Sequence, residues 1–329
     1  MIKRLLITDT HLGIYSDSDV WLNIVSDMFK YVADFALKSN IKEVVHLGDF
    51  FHNRKSVNTK TIDIAHNIAQ SLDKLKVYMI VGNHDCYFKN TLEPTSLRIF
   101  EKYDHIKIVG KPMEIDDDVI LVPWATPIPK TKCKFCLGHF AINGFHMNDN
   151  YVCKEGMETS DFSKFNVVLS GHFHTPSRIN NIIYLGSPYA QTFHDAGGER
   201  GFYVFNEDEI IDYHIYNGAP KFIKYNTSVK LDEKNITGNV VKIIFDKDYG
   251  TNKNQDIIDN VIKHKPLSFT IDFTKVAITE EDGKSQEIQM ENKKDIINNY
   301  IDMKTLPENI NKPTLKGMFE KIMKEAEDV

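Results

Sequence analysis

Three short apolar segments in the first third of the chain each end in a cluster of polar residues. The segments and their clusters are 2–8 followed by DTH (9–11), 43–47 followed by GD (48–49), and 77–81 followed by GNHD (82–85). The intervening residues 17–38 and 59–75 carry apolar side chains at helical spacing. This alternation predicts a parallel sheet covered on both faces, and such sheets bind ligands at the carboxyl ends of their strands.

From about residue 105 the apolar segments become shorter, with little helical pattern between them. The predicted strands are 105–109, 113–115, 119–122, 135–141, 167–170, 182–185, 202–205 and 210–216. A second sheet packed on the first would complete a layered α/β sandwich.

Five polar clusters, each at a predicted strand end, supply a mixed set of possible metal ligands. They are DTH (9–11), GDFFH (48–52), GNHD (82–85), GH (138–139) and GHFH (171–174). Imidazole, carboxylate and amide donors together suit manganese, iron or zinc better than magnesium, which prefers oxygen and water. Two metals about 3.5–4 Å apart need a bridging carboxylate and ligands from several strands. The four cysteines lie outside the clusters, so the clusters do not form a structural thiolate zinc site.

In this order the clusters resemble those of the calcineurin-like metallophosphoesterase superfamily. Within that superfamily, His52 after GD resembles the SbcD-type nucleases, DNA-repair subunits that pair with an SMC-like ATPase. The stretch YLGSPYAQTFHDAGGERGFYVF at 184–205 is also similar, and the size and tail helices resemble the shorter bacteriophage version. The resemblance implies a four-layer αββα sandwich, a small α/β capping domain and a C-terminal helical tail.

The same resemblance implies a role for each residue of the clusters. One metal would be held by Asp9, His11 and His174, a second by Asn83, His139 and His172, and Asp49 would bridge the two. The ions would be two divalent metals, manganese in first place, with magnesium or another divalent ion as the alternative. His84, held in place by Asp85, would either protonate the leaving oxygen or stabilise the transition state, and His52 would face the phosphate and stabilise developing charge.

Shifts in composition predict four regions along the chain. They are 1–218, a segment at 219–278 with a small β-α-β pattern, a polar linker at 279–293 and a helical tail at 294–329. The resemblance implies that the first is the nuclease domain and that the second is a capping domain that contacts DNA. The last helix places Leu315, Met318, Phe319, Ile322 and Met323 on one apolar face. That face would either pack on its own domain or dock onto the SMC-like ATPase. The resemblance favours the ATPase, and it also implies a homodimer formed through residues 59–75 and 95–102.

Charge and hydropathy limit how the chain can meet DNA and where it works. The net charge of −6 provides no overall attraction to nucleic acid, so binding would need metals or a local basic patch. Arg54, Lys55 and Lys60 follow His52 and are predicted either to contact phosphates or to form a solvated loop, and His194 is a further candidate. Because no stretch approaches about 20 apolar residues, we expect no membrane association and a cytoplasmic protein, in the host cytoplasm if it is viral.

The motifs together with the resemblance predict a two-metal DNA nuclease subunit. The resemblance implies 3′–5′ exonuclease and single-strand endonuclease activity, in recombination and double-strand-break repair with the ATPase. The residues themselves predict only metal-dependent phosphodiester hydrolysis. Two alternatives stay open: a phosphodiesterase for small molecules such as cyclic nucleotides, and a non-catalytic DNA-end tether that keeps its metals for structure.

Overall fold

The structure, a computed structural model, describes residues 2–89, 91–148, 151–206, 211–273, 311–313 and 316–318. Within these ranges the α-helices that form regular right-handed structure are α1 (Asp19–Lys38), α2 (Thr59–Ser71) and α3 (Thr251–Lys263). Helix α1 begins at Asp19 because residues 15–17 adopt left-handed backbone conformations, with φ of 57°, 56° and 57°. Helix α2 begins where the Asn58 side chain accepts a hydrogen bond from the Lys60 amide.

The strands follow the predicted pattern closely in the first sheet and are more numerous in the second. In chain order they are β1 (Lys3–Ile7), β2 (Glu43–His46), β3 (Lys76–Ile80), β4 (Ile106–Val109), β5 (Met113–Glu114), β6 (Val119–Val122), β7 (Phe135–His139), β8 (His146–Asn148), β9 (Tyr151–Val152), β10 (Val167–Gly171), β11 (Ser177–Ile179), β12 (Ile182–Tyr184), β13 (Gly201–Asn206), β14 (Ile211–Ile215), β15 (Phe222–Asn226), β16 (Val240–Ile244) and β17 (Ser268–Asp272).

Two six-stranded sheets carry the site. The first has the order β14-β13-β1-β2-β3-β4, and the second has the order β11-β12-β10-β7-β6-β5. Strands β1 to β4 pair in parallel in the first sheet, and β6, β7, β10 and β12 pair in parallel in the second. The parallel strands of each sheet therefore present their carboxyl ends at a common edge.

Alternate side chains along each strand enter different cores. Leu6 and Val45 lie in the cluster between the sheets with Leu137 of the second sheet. Their neighbours Leu5 and Val44 point to the other face and pack with α1 and α2. Each parallel strand is thus apolar on both faces, which is why it reads as a continuous apolar run.

The outer face of the second sheet is covered by a third cluster. Its aromatic members Phe145 and Phe162 pack on residues that include Val168 and Tyr184. In the described chain this cover comes from Phe145 and Cys153, which flank the β8–β9 hairpin, from loops, and from a 3₁₀ turn at Thr159–Phe162. The predicted α/β class, with two packed sheets and flanking helices, is confirmed.

A separate three-stranded parallel sheet, in the order β15-β16-β17, follows the two large ones. Helix α3 connects β16 to β17, and Val241, Phe245 and Val261 belong to a core of its own. Phe222 at its start contacts Trp21 of α1, with ring centroids 6.0 Å apart. The sheet lies within the range predicted as a capping domain.

The predicted linker at 279–293 lies outside the described residues, as do Leu315, Phe319, Ile322 and Met323 of the predicted partner-binding face. Met318 lies in a helical turn at 316–318. No helix in the described ranges is both long and apolar enough to cross a membrane.

Candidate metal centre

The five polar clusters meet where the carboxyl edges of the two large sheets face each other. The loops after β1, β2 and β3 contribute from the first sheet, and the ends of β7 and β10 contribute from the second. Hydrogen bonds join the two sheets here. The His172 amide donates to Asp9 Oδ2 at 3.0 Å, and His139 Nδ1 donates to the Leu47 carbonyl at 2.8 Å.

The side chains form three groups whose possible ligand atoms lie within 4.8 Å of one another. The groups are Asp9–His11–His174, Asp49–His139–His172 and His11–His52–His84. In the first group the Nε2 atoms of His11 and His174 lie 3.1 Å apart. The first two groups bring together six of the seven residues predicted as metal ligands. The seventh, Asn83, offers an amide oxygen.

Asp49 lies between the first two groups. Its Oδ2 atom is 3.8 Å from His11 Nε2 and 3.4 Å from His139 Nε2. The other oxygen, Oδ1, accepts a hydrogen bond from the His84 amide at 2.7 Å. Although burial opposes ionisation, His139 beside it lowers the pKa of Asp49 well below its usual range. Asp49 is therefore an anion placed to contact both groups.

Asn83 completes the second group. Its Oδ1 atom lies 2.9 Å from His139 Nε2 and 2.8 Å from His172 Nδ1. Since the Leu47 carbonyl can only accept, His139 Nδ1 carries a proton, and Nε2 faces the amide oxygen of Asn83. With Nε2 deprotonated, as a metal ligand must be, lone pairs of His139 and Asn83 and the Asp49 carboxylate would converge on one point, an arrangement that fits a bound cation. When no cation is bound, burial lowers the pKa of His139, but the Asp49 charge has the larger effect and raises it to about 9.

Four site residues hold left-handed backbone conformations. Asp9, His11, Asp49 and His172 have φ of 52°, 44°, 56° and 95°. Non-glycine residues seldom adopt such values, and each costs on the order of 1–3 kcal/mol that the surrounding structure must offset. These backbone conformations turn each side chain away from the strand direction and toward the edge where the two sheets meet.

Two glycines at the strand ends are required by close packing. A Cβ atom on Gly82 would lie 2.2 Å from the Asp49 nitrogen, and one on Gly171 would lie 2.1 Å from Thr8 Oγ1. The glycine before each of these clusters therefore lets two strand-end loops approach each other.

His84 and Asp85 follow Gly82 and Asn83 but do different work. His84 Nδ1 donates to the His52 carbonyl at 2.7 Å, which leaves Nε2 available, and its ring lies 4.8 Å from the His11 ring. The prediction that Asp85 holds the His84 ring is wrong. The Asp85 carboxylate points inward, is fully buried, and accepts from the backbone amides of Asp49, Phe51 and Gly82.

Burial and the nearby Asp49 charge raise the pKa of Asp85 to about 7, against the effect of its amide donors. His52 completes the third group, with its ring 5.4 Å from His11 and 5.8 Å from His84. Burial also lowers the pKa of His52. The third group is therefore a set of imidazoles beside the two predicted metal sites.

The predicted DNA-binding residues lie outside the three groups of ligand atoms in the described structure. Arg54 is half-buried and Lys55 is exposed on the loop after His52. Lys60 is exposed at the start of α2 and forms an ion pair with Asp19 at 2.7 Å. His194 is exposed in a 3₁₀ turn at Phe193–Asp195.

The sequence patterns missed three residues that contact the site. Gln191 Nε2 donates to the Asp9 carbonyl at 2.6 Å, and the Tyr189 hydroxyl donates to the Thr10 carbonyl. Trp124, just after β6, has its ring centroid 4.9 Å from that of His172. None of the three belongs to a polar strand-end cluster, although Trp124 does follow an apolar strand at the same edge of the sheet.

The chain is similar to known proteins. A family model of calcineurin-like phosphoesterases matches residues 2–176. Exonuclease subunit 1 of Enterobacteria phage T4 is 29% identical over 317 residues, covering 91% of this chain and 92% of that protein.

Two solved structures are similar over part of the chain. Pseudomonas putida nuclease MPE has 20% identity and a TM-score of 0.30, covering 52% of this chain and 61% of that one. A dimetal phosphatase from Danio rerio has 12% identity and a TM-score of 0.37, covering 62% of this chain and 91% of that one.

Proposed function

Because the chain belongs to the calcineurin-like phosphoesterase family, we propose that it is a two-metal DNA nuclease subunit. It would remove nucleotides from 3′ ends and cut within single strands. The position of Asp49 carries the proposal, since its Oδ2 atom lies 3.4 Å and 3.8 Å from imidazoles of two different ligand groups. The similarity to a phage exonuclease subunit over most of both chains supports DNA as the substrate.

The metals would be held by the first two groups, with Asp49 shared and Asn83 as the amide ligand of the second. Two bound divalent ions would supply charge neutralisation at the phosphate and a water acidified for attack near pH 7. The imidazole, carboxylate and amide donors suit manganese, iron or zinc, and of these we propose manganese as the working ion. The hydrogen bond from the His84 amide to Asp49 Oδ1 orients the shared carboxylate.

His84 would transfer a proton to the leaving oxygen through Nε2. Its Nδ1 proton is held by the His52 carbonyl, so the ring keeps one orientation during the transfer. A positioned proton donor of this kind contributes roughly 10²–10⁴ in rate. His52, in the same group of imidazoles, would face the phosphate and stabilise its developing charge.

The partner would be an SMC-like ATPase, bound by the tail face that includes Leu315, Met318 and Phe319, with the chain forming a homodimer. In that arrangement the small sheet of β15–β17 would act as the capping domain over DNA. The phage relative is an exonuclease subunit, which supports a second subunit for this chain. We propose that the complex acts in recombination and double-strand-break repair, in the cytoplasm of a host cell.

The test is cleavage of 3′-labelled duplex and single-stranded DNA with manganese, by the wild type and by His84→Ala. We expect His84→Ala to lose roughly 10²–10⁴ in rate while retaining its metal. His146→Ala, at an exposed position on β8, is the matched control and should cleave as the wild type does.

Cyclic nucleotide is the comparison substrate, and the ATPase is added in parallel reactions. Turnover of cyclic nucleotide without any cleavage of DNA would make the protein a small-molecule phosphodiesterase. DNA binding with no hydrolysis of either substrate would make it a tether.

A further inference from the structure

An open pocket of about 380 Å³ adjoins the second ligand group. His139 of that group contributes to its lining. Most of the remaining wall is apolar or aromatic, and includes Trp124, Pro127, Phe140 and Met157. Neither the proposed metal ligands nor the proton donor explains a pocket of this size and character.

Trp124 is held in one orientation at the edge of the pocket. Its indole nitrogen donates to the Lys89 carbonyl at 3.1 Å, and its backbone amide donates to the Val81 carbonyl at 3.0 Å. The ring also packs at a tilt of 41° against His172. A fixed indole beside an open pocket is a preformed stacking surface.

The charge of the lining indicates what the pocket accepts. Among the described residues that line the pocket, Glu155 is the single acidic residue and is exposed, and no lysine or arginine is present. A carboxylate disfavours a second phosphate there, whereas a flat, uncharged ring gains contact with Trp124 and the apolar wall. A nucleobase has this chemistry, and the adjoining ligand groups are where its phosphodiester would lie.

We propose that this pocket receives an unpaired base from a nucleotide next to the scissile phosphate, stacked on Trp124. The proposal rests on the nuclease function proposed above and adds the form of the substrate. A base paired within a duplex is not free to enter a side pocket, so the pocket favours single strands and frayed ends. Stacking of a base on an aromatic side chain is sequence-tolerant, and little preference among the four bases is expected.

The first experiment compares cleavage of a single-stranded oligonucleotide by Trp124→Ala, Trp124→Phe and the wild type. We expect Trp124→Ala to raise KM about 10- to 100-fold at unchanged metal content, and Trp124→Phe to restore most of the loss. An oligonucleotide with abasic residues on both sides of the scissile phosphate should be cleaved equally by all three. A loss with the abasic substrate as well would overturn the proposal, because Trp124 would then only support His172.

Phe88→Ala is the matched control. Phe88 is 55% exposed on the loop next to Lys89 but does not line the pocket. Its removal should leave KM unchanged. An equal rise in KM for both variants would mean general adhesion of DNA to exposed aromatic rings, which overturns the pocket.

The second experiment measures binding without cleavage. The chain has two tryptophans, Trp21 and Trp124, so Trp21→Phe leaves Trp124 as the only indole fluorophore. With a diamagnetic divalent ion present, we expect dAMP to quench this fluorescence and deoxyribose 5-phosphate to leave it unchanged. Equal responses to both compounds, or no response to dAMP, would contradict base stacking.

The two experiments separate the pocket from the nuclease function. If Trp124→Ala leaves DNA cleavage unchanged, the nuclease function stands and the base pocket is contradicted. If dAMP quenches the fluorescence of a protein that cleaves no DNA, the base pocket stands and the nuclease function is contradicted.

Discussion

The carboxylate of Asp85 accepts a hydrogen bond from the backbone amide of Asp49, with Oδ2 2.9 Å from the nitrogen. The same carboxylate accepts from the amides of Phe51 and Gly82, each at 3.0 Å. One buried side chain after β3 therefore fixes the backbone of the loop after β2, including the residue whose carboxylate lies between the two ligand groups.

Asp85→Asn tests this arrangement. The amide side chain has one acceptor oxygen and turns its NH₂ group toward backbone donors, so buried amides lose their partners. We expect a loss of about 1–3 kcal/mol in the free energy of unfolding, measured by urea denaturation, together with weaker manganese binding. Asp232→Asn, at an exposed turn of the small sheet, should change the free energy little. Equal stabilities of Asp85→Asn and the wild type would contradict the role given to Asp85.

Gly82→Ala tests the close approach of two strand-end loops. The added methyl carbon would lie 2.2 Å from the Asp49 nitrogen and 2.3 Å from its Oδ1. We expect a loss of about 1–3 kcal/mol in the free energy of unfolding and displacement of Asp49 from the second group. Gly110→Ala is the control, because a Cβ atom there has nothing within 4 Å. If both variants bind manganese as the wild type does, the loops have more room than the structure indicates.

The affinity of the protein for metal is expected to depend on pH. Asp49 raises the pKa of His139 to about 9, so at pH 7 the metal-free ring is protonated and a bound ion must displace that proton. Metal affinity should therefore rise with pH, up to tenfold per unit, until about pH 9. Calorimetry in two buffers of different ionisation enthalpy counts the protons released. An affinity that is constant between pH 7 and 9 would exclude His139 as a ligand that must lose a proton.

Cys86 is expected to be unreactive despite following His84 and Asp85. Burial, with help from the Asp85 and Asp49 charges, raises the pKa of its thiol to about 12, and the side chain is fully buried. At pH 8 the thiolate fraction is then on the order of 10³ lower than for an ordinary thiol. A thiol reagent should label the native protein slowly and label four cysteines after unfolding. Rapid labelling that disappears in Cys86→Ser would show that the loop opens.

Lys55→Gln tests the basic residues after His52. Lys55 is exposed on that loop, and a phosphate contact would release a counterion when DNA binds. For single-stranded DNA, the slope of log K against log salt should become shallower by about 0.7. Lys38→Gln, at the exposed end of α1, should leave the slope unchanged. The same slope in all three proteins would mean that Lys55 is simply solvated.

Much of the site could be predicted from the sequence because its residues stand where strands end. An apolar run followed by Asp9 or Asp49 is a local pattern, and parallel pairing of β1, β2 and β3 brings such ends together whatever the rest of the chain does. The glycines before these clusters carry the same local information, since no other residue permits the close packing at Gly82. The family resemblance and the α/β class both follow from these local patterns.

Which side chains face each other was decided by the tertiary structure. His139 and His172 come from the second sheet, and only the packing of that sheet on the first brings His139 within 3.4 Å of Asp49. Asp85 turns toward backbone amides rather than toward the His84 ring because three donors converge there, which spacing along the chain does not encode. Trp124 reaches His172 because β6, β7 and β10 lie side by side, and a contact across neighbouring strands depends on sheet order rather than on any local pattern.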